Sequence, residues 1–412
     1  MPIHEHRYPN GLVLVAESMQ SLESVAFTFL LPVGAAYDPS DRAGLTSMTC
    51  EMVLRGCGEL DSRQYVERLE ELGIETGEAV TTSHTCYRSA MLSEHLGEAI
   101  SLYGDLLLRP QLPTEELESS RQVAIQEFRA LDDELLQKVM VELRRGHYPD
   151  PWGQSHHGNL EGLSQIALDD VRDHFAGGYQ PNGTILGVAG KFSWDELRET
   201  VGQVFGDWKR GEWSEPDGGP LEIYRKHLDH DSSQTQIALA YPSIPYKHED
   251  YFQAWGAVGV LSEGSSSRLF TEVREKRGLC YSVGASTRSL KEQGSVFCHA
   301  GTTAERAQET LDVIIAELVR LAAGIEVEEL DRLKAKMKSS LIMSQESSMA
   351  RAGALARDWY HLERIRPLDE ISAHVDALTP ASINRYLQDN PPTDFTVVTL
   401  GPQSLEMPDA IS

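Results

Sequence analysis

An internal repeat with an offset of about 210 residues is the feature that most constrains what this 412-residue chain can fold into. FTFLLPVGAAYD (residues 27–38) has its counterpart in QIALAYPSIPYK (236–247), which sets Pro32 against Pro242. PTEELESSRQVAIQEF (113–128) matches VEELDRLKAKMKSSL (327–341), setting Leu117 against Leu330. Near the end of each half, LDDVRDHF precedes GTILGVAG as PASINRYL precedes FTVVTLG, so Val171 falls against Ile383 and Gly190 against Gly401. Four blocks in one order at a nearly constant offset imply two similar domains in tandem.

The break between them falls in KRGEWSEPDGGP (209–220), where Gly, Pro and acidic residues replace any apolar period. This gives one domain over 1–210 and a homologous one over 221–412. Alternating apolar residues in GLVLVAE and VAFTFLLPVG read as strands. Helical stretches follow, among them one continuous helix expected from Thr114 to about Arg145. It opens on Pro113, a Thr114 cap, and Glu115 and Glu116 at the positive end of the helix dipole. The fold class is α+β: two tandem α/β sandwiches, with helices packed on mostly antiparallel sheets.

A net charge of −26 excludes nucleic acid and anionic membrane surfaces as partners, since both need clustered Lys and Arg. No apolar run approaches the roughly 20 residues that span a bilayer. Five cysteines, Cys50, Cys57, Cys86, Cys280 and Cys298, are irregularly spaced without a C-x-x-C pair, as in a reducing compartment. The segment MPIHEHRYPNGLVLVAE carries no signal-peptide pattern, and a cytoplasmic location is the expectation.

GLTSMTCEMVLRGCG (44–58) holds the candidate site. Ser40 and Asp41 can cap a helix running to about Leu54, with Leu45, Met48 and Met52 as its core stripe. Ser47, Cys50 and Glu51 then share a neighbouring face at i, i+3 and i+4. Glu127 lies 76 residues beyond Glu51 on a second helical stretch, with Ser120 seven residues before it. His84 lies in a strand-like segment, and His156 and His157 in a loop-like GQSHHGN; each reads as a residue satisfied by its neighbours. GVLSEGSSSRLF is rich in Gly and Ser but lacks G-x-x-x-x-G-K-[ST], so a phosphate loop is not supported. Cys50 as a nucleophile would need a paired His, and none is assignable.

The frame of the 44–58 helix is similar to that on which inverted-zincin peptidases carry His-x-x-Glu-His, two zinc ligands on one helical face beside a general base. Ser47, Cys50 and Glu51 stand at those three positions. The whole chain resembles the pitrilysin/insulinase family, in particular its two-domain branch related to mitochondrial processing peptidase. Blocks carrying the likeness are this helix, the Glu127 helix, HYPDPWGQSHHGNLEGLSQI and SSSRLFTEVREKRGLCYSVGA. The resemblance implies that Glu127 retains the type of the third metal ligand, while Ser120 replaces a supporting Glu. Arg274 and Tyr281 match the family's Arg and Tyr seven residues apart, which hold the substrate backbone and stabilise the oxyanion.

A metal bound by Cys50, Glu51 and Glu127 would turn the general-base neighbourhood into ligands and leave no base, so no metal is expected in this chain. The profile implies a non-catalytic, substrate-binding subunit of a two-chain zinc peptidase acting on oligopeptides or unfolded polypeptides. Zinc would then reside in a partner bearing His-x-x-Glu-His, with this chain a homodimer in isolation. The alternatives are a structural or peptide-binding scaffold, or an autonomous metallopeptidase with a rebuilt metal site.

Overall fold

The computed structural model describes residues 2–212, 214–219, 224–344 and 346–408. Trp213 and residues 220–223 lie outside these, and with them part of the expected linker and the start of the expected second domain. The chain forms two compact units. One comprises Met1–Ala130, Asp150–Gly218 and Met343–Ile365; the other comprises Leu131–Pro149, Gly219–Ile342 and Arg366–Ser412.

In the first unit the strands are β1 (Ile3–Arg7), β2 (Val13–Ser18), β3 (Ser24–Leu31), a two-residue hairpin of β4 (Gly56–Cys57) and β5 (Leu60–Asp61), then β6 (Glu75–Val80), β7 (Thr85–Leu92) and β8 (Ile185–Gly190). Its main sheet runs β1-β2-β8-β3-β7-β6. Neighbours are antiparallel except β2 and β8. The second unit holds β9 (Arg225–Asp229), β10 (Gln234–Ser243), β11 (Cys280–Ser289), β12 (Gly294–Thr303) and β13 (Thr396–Gly401). Their order is β11-β12-β10-β13-β9, antiparallel except β13 with β9.

The repeat read from the sequence extends to hydrogen-bond register. Phe27 on β3 pairs with Val188 and Ser89, and Ile237 on β10 pairs with Thr399 and Ala300. A register slip of one residue would exchange the two faces of a strand, so the shared register preserves both inward patterns.

Both faces of the first sheet are covered. Leu12, Leu14 and Ala16 join Phe27 and Phe29 under the helices Leu45–Val53, Leu96–Leu108 and Trp194–Phe205. The alternate residues Val13, Val15, Ala26, Ile185 and Ala189 pack on Ala352, Leu355 and Ala356 of the helix Ser348–Leu362. Period-two alternation explains how one strand serves two cores. The same outer face buries an ion pair, Glu17 with Arg351. In the second unit the helix Leu135–His147 packs on β10 and β13, while Tyr251–Ser262, Ala307–Ala322 and Pro380–Asp389 contribute to the opposite core.

The units are therefore not contiguous stretches of chain. The ranges 1–210 and 221–412 describe the halves of the repeat, and each unit takes one helix from the other half. The expected continuous helix from Thr114 to Arg145 is interrupted at that crossing. Thr114–Glu116 is a 3-10 turn, the first α-helix is Leu117–Ala130, and a second begins at Leu135. Asp132, Asp133 and Glu134 fill the gap. Carboxylates disfavour the negative C-terminus of one helix and favour the positive N-terminus of the next.

Candidate functional site

The helix Leu45–Val53 begins at Gly44, whose φ of 99° lies in the left-handed region that glycine tolerates best. Its cap is Asp38 rather than the expected Ser40 or Asp41, which form a 3-10 turn ahead of it. Asp38 Oδ2 accepts from the Gly44 amide at 2.7 Å, and Oδ1 accepts from the Thr46 amide at 2.8 Å and the Thr46 hydroxyl at 2.6 Å. The Thr46 Oγ1 also lies 2.9 Å from His174 Nε2. Burial lifts the Asp38 carboxyl to about 6 despite the hydrogen bonds that favour its ionised form. Burial alone lowers His174 to about 4.

Leu45, Met48 and Met52 join the core as expected. Ser47, Cys50 and Glu51, however, do not converge on a common open site; each has a separate local partner. Ser47 Oγ donates to the His156 carbonyl at 2.6 Å. That loop lies close because Gly158, with φ of 64°, abuts the helix start; a Cβ there would sit 2.3 Å from the Ala43 carbonyl oxygen. Cys50 points into the core, 4% exposed, where burial pushes its thiol up to about 12. It contacts the Tyr87 hydroxyl, which in turn lies 2.8 Å from Tyr179 Oη. Glu51 forms an ion pair with Arg55 one turn along, and Arg55 Nη1 is 3.7 Å from Glu116.

Glu127 stands on the helix Leu117–Ala130 within electrostatic reach of Glu51. Burial, then the Glu51 and Glu78 carboxylates, push its pKa up from the ordinary carboxylate value. Glu78, on β6, is the member of this cluster that the sequence reading missed; alternation along ETGEAV was the signal that could have placed it. Ser120 is fully buried. His84 is 7% exposed, with Nδ1 3.0 Å from Ser83 Oγ and its ring edge-on to Tyr360. The His156 and His157 rings lie 4.0 Å apart, tilted by 37°.

The zinc of inverted zincins does not fit these residues. A serine hydroxyl spent on a carbonyl, a buried protonated thiol and a carboxylate neutralised by Arg55 do not make a donor set. Among the described residues, no group of three or more His, Cys, Asp or Glu is placed to hold a metal ion.

Arg274 and Tyr281 lie in the second unit. Phe270–Glu275 is a π-helical turn, with the Lys276 amide bonding to the Thr271 carbonyl at 2.9 Å. The Arg274 guanidinium stands over the Phe270 ring at 4.9 Å and over Tyr281 at 5.5 Å. Glu272 is engaged by Lys276 and Arg277, both at 2.7 Å, so Arg274 is steadied by rings rather than a carboxylate. Tyr281, at the start of edge strand β11, is 86% exposed. A large aromatic ring so exposed, bracing a guanidinium that makes no ion pair among the described residues, leaves five N–H donors and one phenol open to a ligand.

Comparison with known proteins gives the lineage of this arrangement. Residues 13–148 match the family model described as insulinase (peptidase family M16), and residues 165–337 match that described as the peptidase M16 inactive domain. The chain belongs to the pitrilysin/insulinase family, M16. Among M16 relatives, an uncharacterized zinc protease of Bacillus subtilis is 24% identical over 97% of this chain and 98% of its own length. The crystal structure of a peptidase M16 inactive domain from Pseudomonas fluorescens superposes with a TM-score of 0.89 at 20% identity, covering 99% of this chain and 100% of that one. A protease from Helicobacter pylori gives 0.86 at 21% identity, over 97% and 99%. A chain of complex III2 from Candida albicans, bound to Inz-5, gives 0.83 at 16%, over 97% and 96%. These likenesses place the M16 fold over the full length of the described chain. Among the described residues, no helix is long and apolar enough to cross a membrane.

Proposed function

We propose that this chain is a non-catalytic, substrate-binding subunit of a two-chain zinc peptidase acting on oligopeptides or unfolded polypeptides. The observation that carries the reading is the contrast between its two motifs. Ser47, Cys50 and Glu51 are each consumed by a neighbour, whereas Arg274 and Tyr281 are stacked, exposed and free of carboxylates. A closed helix cannot activate water; an open guanidinium and phenol can still hold a peptide carbonyl and the negative charge it develops. Zinc and the general base would come from a homologous partner bearing His-x-x-Glu-His. The subunit's contribution is binding and charge stabilisation, with no covalent step of its own.

The test is reconstitution. Mixing this chain with such a homologue should raise hydrolysis of a quenched fluorescent peptide, and Arg274→Ala should lower the rate by about 10²-fold, the loss typical of an oxyanion donor. Full hydrolysis by the partner alone, indifferent to this chain, would sink the proposal. An intact complex insensitive to substitution at both Arg274 and Tyr281 would instead mark the chain as a scaffold.

A further inference from the structure

The face of the second sheet beneath the helix Leu135–His147 carries two cations that form no ion pair among the described residues. Arg288, on β11, is directly opposite Ser295 on β12. Cross-strand partners share a face, and Ser295 faces the helix, because its Oγ lies 2.8 Å from His147 Nε2. Tyr148, at the end of that helix, stacks on Phe297 two residues along the same strand, with centroids 5.9 Å apart. Arg144 precedes Tyr148 by one helical turn. The side chains of Arg144, Arg288, Tyr148 and Ser295 are thus gathered over one end of β11 and β12.

Such a cluster would ordinarily contain a carboxylate. The groups that act on Arg144 are Arg288 and Tyr148, and burial and the neighbouring guanidinium both weaken its hold on its proton. Glu142, the acid on this helix nearest in sequence, is committed to Lys226 at 2.7 Å and to the Tyr224 hydroxyl, on the β9 side. His299, on the same face of β12, is shifted below the ordinary imidazole value by burial and by Arg288. The Tyr148 hydroxyl is buried, with the residue 5% exposed, and has the Ser295 hydroxyl as a neighbour but no hydrogen bond of good geometry. A buried hydroxyl without a well-formed hydrogen bond and the half-buried, unpaired Arg144 guanidinium each cost free energy in an empty site, while the exposed Arg288 adds a second positive charge beside them. One anion would satisfy all three.

We propose that Arg144, Arg288 and the Tyr148 hydroxyl form a binding site for a small oxyanion, a free phosphate or the carboxylate of a peptide chain. Both ligands offer two or more oxygens to forked N–H donors, the geometry guanidinium groups match best. The chain's net charge of −26 repels anions elsewhere, so a saturable anion effect would report a built site rather than a basic surface. This inference is independent of the Arg274 and Tyr281 pair.

Inorganic phosphate should bind the full chain at one site by calorimetry and raise its unfolding temperature, against chloride matched in ionic strength. Arg288→Gln should weaken phosphate binding by at least about tenfold, since it removes one of two charged donors. Tyr148→Phe keeps the stack on Phe297 and should weaken binding by about threefold, the smaller effect of one neutral hydrogen bond. Two peptides of one sequence, with a free or an amidated C-terminus, separate the sources. Displacement of phosphate by the free acid alone assigns the site to a peptide carboxylate; displacement by neither assigns it to phosphate. Absence of a phosphate effect beyond chloride would overturn the inference, as would undiminished affinity in both folded variants.

Discussion

Asp38 and His174 meet on one hydroxyl, Thr46 Oγ1, at the start of the degenerate helix, and their titrations oppose one another. The folded carboxyl of Asp38 sits at about 6, above an unfolded value near 3.9. Its contribution to stability is therefore full below pH about 4 and is lost as pH rises through 6. The folded imidazole of His174 sits at about 4, below its unfolded value near 6.5. Its contribution is present above pH about 6.5 and is lost as pH falls through 4. The displacement is about two pH units for Asp38 and about two and a half for His174, hence about 3 kcal/mol each at roughly 1.4 kcal/mol per unit. In the parent chain the two slopes largely cancel between pH 4 and 6.5. Single substitutions should expose them. By urea denaturation at half-unit pH steps, the stability of Asp38→Asn relative to the parent should rise by about 3 kcal/mol from pH 4 to 6.5. That of His174→Gln should fall by about the same amount. The pH-independent cost of each lost hydrogen bond shifts the curves without changing their slopes. Slopes of the same sign, or flat differences in both variants, would refute a buried ionisable pair sharing Thr46.

Three further outcomes are expected. Arg351→Met leaves Glu17 as a lone buried carboxylate and should destabilise the first unit by about 3–5 kcal/mol, whereas Glu17→Leu with Arg351→Met should recover most of the loss in chemical denaturation. All five cysteines are buried and every thiol is shifted upward, so a thiol reagent at pH 8 should leave the native chain unlabelled over minutes and label all five in urea. The parent should purify without stoichiometric zinc. The triple change Ser47→His, Cys50→Glu and Glu51→His, with Glu127 in place as third ligand, should bind about one zinc per chain by elemental analysis. Failure of the triple variant to bind zinc would mean that the helix no longer faces Glu127 as a zinc site requires.

The parts legible in the sequence are those set by short-range pattern. Alternation in VAFTFLLPVG marked a strand, and the repeat marked its counterpart in QIALAYPSIPYK, because both signals need only residues close in sequence. Leu45, Met48 and Met52 followed from helical spacing in the same way. The cap did not, since Ser40 and Asp41 are better placed in sequence but Asp38 reaches the Gly44 and Thr46 amides across a bend. Convergence of Ser47, Cys50 and Glu51 failed for a related reason. Spacing gives a shared helical face, but the depth of Cys50 and the pairing of Glu51 with Arg55 depend on what packs alongside. Periodicity marks the helices Leu135–His147 and Ser348–Leu362 as amphipathic without saying which sheet they cover.

Those two helices occupy equivalent places in the repeat, each following the long helix Leu117–Ala130 or Val327–Ser344. Their exchange is reciprocal: a single polypeptide accomplishes what a swapped dimer does with two. Scission within residues 209–220 would therefore yield two fragments, neither holding all the parts of one unit. A fragment of residues 1–210 would leave Val13, Val15, Ala26 and Ile185 bare to water where the helix Ser348–Leu362 belongs. Renewed association of the fragments, rather than independent folding of either, is the only route by which such pieces regain both cores. The linker holds the halves together; the crossed helices make them need one another.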